Sequence, residues 1–157
     1  MGENKPKVIV IPAAPKNTGP VEQRQLRVAA YCRVSTKEED QLNSYEAQKN
    51  YYTDKIMENK AWTMADIFAD EGITGTSAKK RADFMRMMKW CKQGKIDLIL
   101  TKSVSRFARN TVDCLNYVRM LKAQGIAVYF EKENINSMDE STELMLTMMG
   151  AFAQAES

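Results

Sequence analysis

Leu26-Arg27-Val28-Ala29-Ala30-Tyr31-Cys32-Arg33-Val34-Ser35-Thr36 is the stretch whose reading decides the fold. Its apolar run, Leu26 to Val34, predicts a buried strand. Side chains alternate along a strand, so Arg33 and Ser35 point to the same side at its carboxyl end. In open α/β sheets that end is where ligands bind. A second apolar strand, Asp97 to Thr101, runs into Lys102-Ser103-Val104-Ser105-Arg106-Phe107-Ala108-Arg109. Two strand ends thus deliver a hydroxyl and several fixed positive charges, an arrangement suited to a nucleophile attacking a phosphate.

Outward from these strands the chain alternates. Residues 1–25 hold all four prolines, Pro6, Pro12, Pro15 and Pro20, and read as an extended arm. A helix is expected from about Asn43 to Asn59, with Leu42, Tyr45, Tyr52 and Ile56 on one face, then a strand from Thr63 to Ala69. The polar, turn-rich stretch from Asp70 to Arg81 reads as a mobile loop. A helix from Asp83 to Gln93 ends at Gly94. The strand Asp97–Thr101 leads into a helix reaching Gln124, with Val112, Leu115, Val118 and Leu121 inward and Gly125 past its end. Ile126 to Phe130 is the fourth strand. Ser137-Met138-Asp139-Glu140 has capping-box spacing and opens a last helix running to Ser157. This alternation predicts an α/β fold, a mostly parallel sheet of about four strands with helices on both faces. Residues 26–136 form the α/β domain and 137–157 the start of a helix that continues in something longer.

The 157 residues suffice for one domain with a real core. No apolar run approaches the roughly 18 residues that span a bilayer, and no signal-peptide pattern opens the chain. Cys32, Cys91 and Cys114 are odd in number and widely spaced, matching neither a disulfide framework nor a zinc site. A reducing cytoplasmic setting follows, with Cys32 a buried strand thiol. The chain contains no histidine, which excludes a Ser-His-Asp relay and imidazole metal sites. Its net charge of +3 is small. The distribution says more. Between 102 and 122, Lys102, Arg106, Arg109, Arg119 and Lys122 face only Asp113, whereas from 123 onward Lys132 faces six acids. The first segment suits phosphates, the second protein or water.

A serine after a strand is ordinarily a turn or cap residue, and an arginine beside it an exposed strand residue. Arg106 and Arg109 at i, i+3 spacing alter that reading. With Ser105 as helix cap, both guanidiniums emerge from the first turn on one side, where the helix dipole also favours an anion. Three arginines around a phosphodiester would neutralise its non-bridging oxygens as charge builds in the transition state, and would favour the Ser35 alkoxide.

Tyr31-Cys32-Arg33-Val34-Ser35-Thr36 resembles the signature around the nucleophile of the serine recombinases, the resolvase and invertase family. Ser105-Arg106-Phe107-Ala108-Arg109-Asn110 resembles that family's second arginine motif. The stretch from Asp70 to Ser77 with Lys80-Arg81 resembles its active-site loop and a further arginine. Phe152-Ala153-Gln154-Ala155-Glu156 resembles the start of its long dimerisation helix. These landmarks lie in order over residues 27–157.

The resemblance implies a catalytic domain that cuts both DNA strands at a recombination site, most like the large serine recombinases and transposases of bacterial mobile elements. Ser35 would form a 5′-phosphoserine bond and leave a free 3′-hydroxyl, with no ATP, metal or cofactor. Arg33, Arg81, Arg106 and Arg109 would hold the scissile phosphate. Gln48, Asp70, Ser105 and Lys102 would support them. Small family members usually carry aspartate where this chain has Ser105, which leaves the general acid and base unassigned. Partners would be double-stranded DNA and further copies of the protein, a dimer and then a synaptic tetramer, in a bacterial cytoplasm at the nucleoid. Leu144, Met145, Met148, Met149 and Phe152 would line the oligomer interface, where methionine packs adaptably. The resemblance also implies that the family's DNA-recognition region would lie beyond these residues. Two other classes remain as alternatives. One is a non-catalytic flavodoxin-like module that binds phosphate or regulates a partner. The other is a phosphatase, which wants Cys-x5-Arg, but Glu38, Asp97 and Met120 stand six places after the three cysteines.

Overall fold

β1, Leu26–Val34, is the strand around which everything else is arranged, and it is buried from Val28 to Cys32. The computed structural model describes residues 24–35, 39–71, 81–139 and 141. β2 (Trp62–Glu71) pairs parallel with one edge of β1 and β3 (Leu98–Thr101) with the other. β4 (Ala127–Phe130) continues the parallel sheet beyond β3, and a two-residue β5 (Ile135–Asn136) closes it antiparallel, giving the order β2-β1-β3-β4-β5. The fifth strand adds to the four expected. The chain leaves β1 toward one side and returns through β3 on the other, so the gap beyond their carboxyl ends is a topological switch point.

The two faces of β1 bury different partners, as its alternation requires. Ala29 and Tyr31 belong to a core with Phe84, Met87 and Cys91 of α2 (Ala82–Lys92) and Cys114, Val118 and Leu121 of α4 (Thr111–Ala123). Val28, Ala30 and Cys32 pack on the other face against Tyr52 and Ile56 of α1 (Tyr45–Glu58). Burial pushes the Cys32, Cys91 and Cys114 thiols up to about 12, with Glu131 adding to it at Cys32 and Glu133 at Cys114, so all three pack as small apolar groups.

Several expectations are corrected. α1 begins at Tyr45, after a 3₁₀ turn at Gln41–Asn43, with Ser44 as its cap. Leu42 is 88% exposed and Tyr45 also faces outward; the buried line is Gln48, Tyr52, Ile56. The helix after β3 is broken in two. α3 is Val104–Phe107, capped by Ser103 and not by Ser105, and α4 starts afresh with Asn110 as its cap. Val112 is consequently exposed, and Cys114 takes the inward place. Ser137 opens no helix within the described residues. It is buried, and its Oγ accepts the Val128 amide at 2.7 Å, fastening the chain beyond β5 to β4. Gly94 and Gly125, at φ 73° and 80°, end α2 and α4 as expected. The expectations of an arm, a mobile loop and a last helix with Leu144, Met145, Met148, Met149 and Phe152 fall on 1–23, 72–80 and 142–157, outside the described residues.

Candidate active site

Arg33 and Ser35 end β1 in a recess of about 420 Å³ whose other walls are Val34, Asp40, Asn43, Ser105 and Arg106. Three local devices hold it open. The Ser35 amide donates to the Asn43 carbonyl at 2.8 Å. The amide of Gln48, itself only 8% exposed, donates to the Arg33 carbonyl at 2.9 Å and the Asn43 carbonyl at 3.0 Å. Arg106 donates from Nη1 to the same Arg33 carbonyl at 2.9 Å. One main-chain oxygen therefore ties β1 to α1 and to α3. Gln48 reaches the recess through this clamp and not as one of its walls.

The second motif arrives differently from the expected single helix. Ser103 Oγ accepts the Arg106 amide at 3.3 Å and lies 3.1 Å from Ser105 Oγ. With α3 only one turn long, Arg106 emerges from it, while Arg109 sits in the exposed break before α4. Both still face β1. Arg106 lines the Ser35 recess, and Arg109 lines a narrow cleft on the other flank of Arg33, with Tyr31, Asp70, Glu71, Arg81 and Ala108. Arg33 belongs to both walls.

Arg81, at the cap position of α2, lies flat against the aromatic core. Its guanidinium carbon is 3.7 Å from the Phe84 ring centroid. It donates from Nε to the Tyr31 hydroxyl at 3.3 Å, and from Nη2 to the Phe107 carbonyl. Stacking and two bonds fix a planar group that would otherwise have many rotamers. Tyr31 donates in turn to Asp70 Oδ2 at 2.7 Å. Asp70 also accepts the Asp83 and Phe84 amides at 2.9 and 3.0 Å, so it caps α2 from the end of β2. Asp83 returns the favour by accepting the Ala69 amide at 2.9 Å. Burial pushes the Tyr31 hydroxyl well above the usual phenol range, and the Asp70 bond adds to this against the opposing pull of Arg81. Tyr31 therefore stays a neutral hydroxyl linking a cap to an arginine.

Lys102 is not brought to Ser35. It lines a second recess of about 530 Å³ with Leu42, Gln48, Tyr51, Tyr52, Glu131, Lys132 and Asn43, the last a wall of both recesses. There Glu131 accepts the Tyr51 and Tyr52 hydroxyls at 3.0 and 2.8 Å and pairs with Lys55 at 3.2 Å. Among the described residues, none of Arg33, Arg81, Arg106 and Arg109 pairs with a carboxylate; the ion pairs lie elsewhere. Asp40, Asp70 and Glu71 line the same recess and cleft without ion-pairing to them, so the guanidinium N–H groups not already bonded are left for an anion.

Sequence reasoning missed Tyr31, Asn43 and Asp40 as parts of the site. For Tyr31 the signal was present, since it shares a strand face with Arg33 and Ser35. Asn43 and Asp40 gave only the weak signal of polar turn residues before a helix.

Comparison with known proteins agrees with this geometry. Residues 28–157 match the family model described as Resolvase, N terminal domain. The chain is 29% identical over 131 residues to the transposon Tn3 resolvase of Escherichia coli, and 29% over 131 residues to the R46 site-specific recombinase of the same organism. Those alignments cover 83% of this chain and 64% and 62% of the relatives, so the chain spans somewhat less than two-thirds of their length. Among solved structures it resembles a resolvase family site-specific recombinase from Streptococcus pneumoniae at 28% identity and TM-score 0.67, over 84% of this chain and 90% of that one. It shares its fold with the N-terminal catalytic domain of TP901-1 integrase, at 23% identity and TM-score 0.66, over 83% of this chain and 96% of that one. A parallel sheet with a serine and its arginines at the switch point, matched over most of its length to one family model, leaves a single assignment: the chain belongs to the resolvase N-terminal domain family.

Proposed function

We propose that this chain is the catalytic domain of a serine site-specific recombinase, and that Ser35 is the nucleophile that opens the DNA backbone. The observation that carries the reading is the convergence of Ser35, Arg33 and Arg106 on one recess, with Arg81 and Arg109 on its flank and no described carboxylate pairing with them. Ser35 Oγ attacks the scissile phosphorus in line with the 3′-oxygen. The products are a 5′-phosphoserine bond and a free 3′-hydroxyl. The ester bond retains the energy for religation, which is the same step reversed with a different 3′-end. Arg33 and Arg106 face the non-bridging oxygens from within the recess. A guanidinium carries five N–H donors, so the one Arg106 places on the Arg33 carbonyl leaves others for phosphate. Arg81 is held by main chain and ring, so it offers charge at a fixed place with little reorganisation.

DNA is the substrate on this reading, and strand exchange takes place in a tetramer assembled by the full-length protein. Asp70 belongs to the site through Tyr31 and Arg81, as a positioning residue.

The test uses the full-length protein on a supercoiled plasmid carrying the DNA that flanks its gene. Cleaved complexes are trapped and the DNA ends analysed for bound protein. A protein link on 5′-ends, lost in Ser35→Ala, is the expected result. A link of undiminished yield in Ser35→Ala would show another nucleophile and overturn the assignment.

A further inference from the structure

The Ser35 hydroxyl must lose its proton as it attacks, and this chain contains no histidine to take it. The recess walls narrow the choice. Of the described walls Arg33, Val34, Ser35, Asp40, Asn43, Ser105 and Arg106, only Asp40 carries a carboxylate, the one anionic proton acceptor among them. Among the described residues, the other carboxylates near the arginines lie outside this recess. Asp70 accepts the Tyr31 hydroxyl and two α2 amides, and Glu131 accepts two tyrosine hydroxyls and a lysine in the second recess. Glu71 lines the narrow cleft beyond Arg33, across from Ser35. Ser105 supplies a hydroxyl 3.1 Å from Ser103 Oγ and no base.

We propose that Asp40 is the general base of the cleavage step, an inference that rests on the recombinase reading. Its carboxylate is held in place, as such a group needs to be. Asn43 Nδ2 lies 2.9 Å from Oδ1 and 3.2 Å from Oδ2, and the Asn43 amide donates to the Asp40 carbonyl at 3.2 Å. The carbonyl of the same Asn43 accepts the Ser35 amide. Base and nucleophile are therefore both fastened to Asn43, one through its side chain and the other through its carbonyl. An ionised carboxylate has about four lone-pair positions, so Asn43 leaves room for a hydroxyl proton. In cleavage the Oγ–H bond of Ser35 breaks toward Asp40, the Oγ–P bond forms and the P–O3′ bond breaks. The departing 3′-oxygen takes a proton from water. In religation the 3′-hydroxyl attacks and gives its proton to water, and the protonated Asp40 returns its own to Ser35 Oγ as that oxygen leaves phosphorus. Charge and protons balance in both directions.

The experiment measures single-turnover formation of the Ser35–DNA link by the full-length protein on the same plasmid from pH 5 to 9. Asp40→Asn is expected to slow it by about 100-fold or more, with loss of the limb on which the wild-type rate falls toward acid pH. Asp40→Glu should keep that limb. Asp40→Ala should be accelerated by added formate in proportion to its concentration, a response that restored folding alone does not produce. A rate for Asp40→Asn within about threefold of wild type overturns the proposal. So does a slow Asp40→Asn whose pH profile parallels wild type, together with an Asp40→Ala that ignores formate, because Asp40 then only shapes the turn. A wild-type protein that forms no Ser35 link overturns the recombinase reading and this inference with it. A link present in wild type and undiminished in Asp40→Asn overturns this inference alone.

Discussion

The two ends of the sheet treat arginine in opposite ways. At the amino end of β1, Arg27 meets Asp97 in a two-pronged ion pair, Nε to Oδ2 and Nη2 to Oδ1 at 2.9 Å each, and donates to the Gly94 carbonyl at 2.7 Å. At the carboxyl end, Arg81 and Arg106 donate to main-chain carbonyls, and none of the four arginines there pairs with a described carboxylate. A carbonyl fixes a guanidinium without neutralising it. The amino end is thus electrostatically closed and contributes to stability, whereas the carboxyl-end arginines have no ion-pair partner among the described residues. Residues six apart on one strand are used for unrelated purposes.

The largest effect that would break this contrast belongs to the carboxyl end. Arg106→Ala removes one charge from the phosphate recess. It is expected to slow covalent link formation by about 10²–10³-fold while lowering stability by about 1 kcal/mol, as read by single-turnover cleavage and urea melts. Loss of stability with cleavage intact would mean that Arg106 is merely a strand clamp. Next in size, Gln48→Ala strips donors from the Arg33 and Asn43 carbonyls in a buried place, for about 1–3 kcal/mol in the same melts. Its cleavage rate should fall as well, because Ser35 hangs from Asn43. Asp70→Asn replaces the carboxylate at the head of α2 and is expected to cost about 1 kcal/mol, with amide exchange of the first α2 turn accelerated.

The smallest effect sharpens the contrast from the other end. Arg27→Ala should leave cleavage untouched and cost no more than about 1 kcal/mol, since the pair is partly exposed. The Arg27 hydrogen bonds hold the Asp97 carboxyl below its usual range, opposed by partial burial. A depressed acid stabilises the fold above its unfolded value and loses that contribution as pH falls through the folded one. Wild type and Arg27→Ala should therefore differ at neutral pH and converge in acid below about pH 4.

How much of this was legible in the sequence depended on how local each cause was. The four parallel strands and the glycine stops at Gly94 and Gly125 follow from short-range patterns, and they were read correctly. The break between α3 and α4 was not. Val112, Leu115, Val118 and Leu121 recur every third residue and suggested one continuous inner face, but a true helical stripe runs Cys114, Val118, Leu121. The cap at Asn110 announces the restart, and its side chain accepts the Asp113 amide at 2.8 Å. β5 has two residues and carries no periodic signal. Within the site, Arg33, Ser35 and Arg106 were placed by strand ends alone. The role of Asp70 depends on amides thirteen and fourteen residues away, a relation no local pattern encodes. Lys102 looked equivalent to its neighbours in sequence, yet its side chain serves another recess.

β2 is an edge strand of the described sheet, ten residues long beside β1. Its pairing slips by one residue where Val28 opposes Met64 and Ala29 opposes Asp66, leaving Ala65 as a bulge. Asp66 sits at that kink, and its carboxylate accepts its own neighbour's amide, that of Ile67, and pairs with Arg86. A kinked, charged margin is a poor template for a foreign strand. On the proposed recombinase reading, in which copies gather on DNA, such a margin lets the domains crowd together at high local concentration without their sheets adding to one another in ribbons.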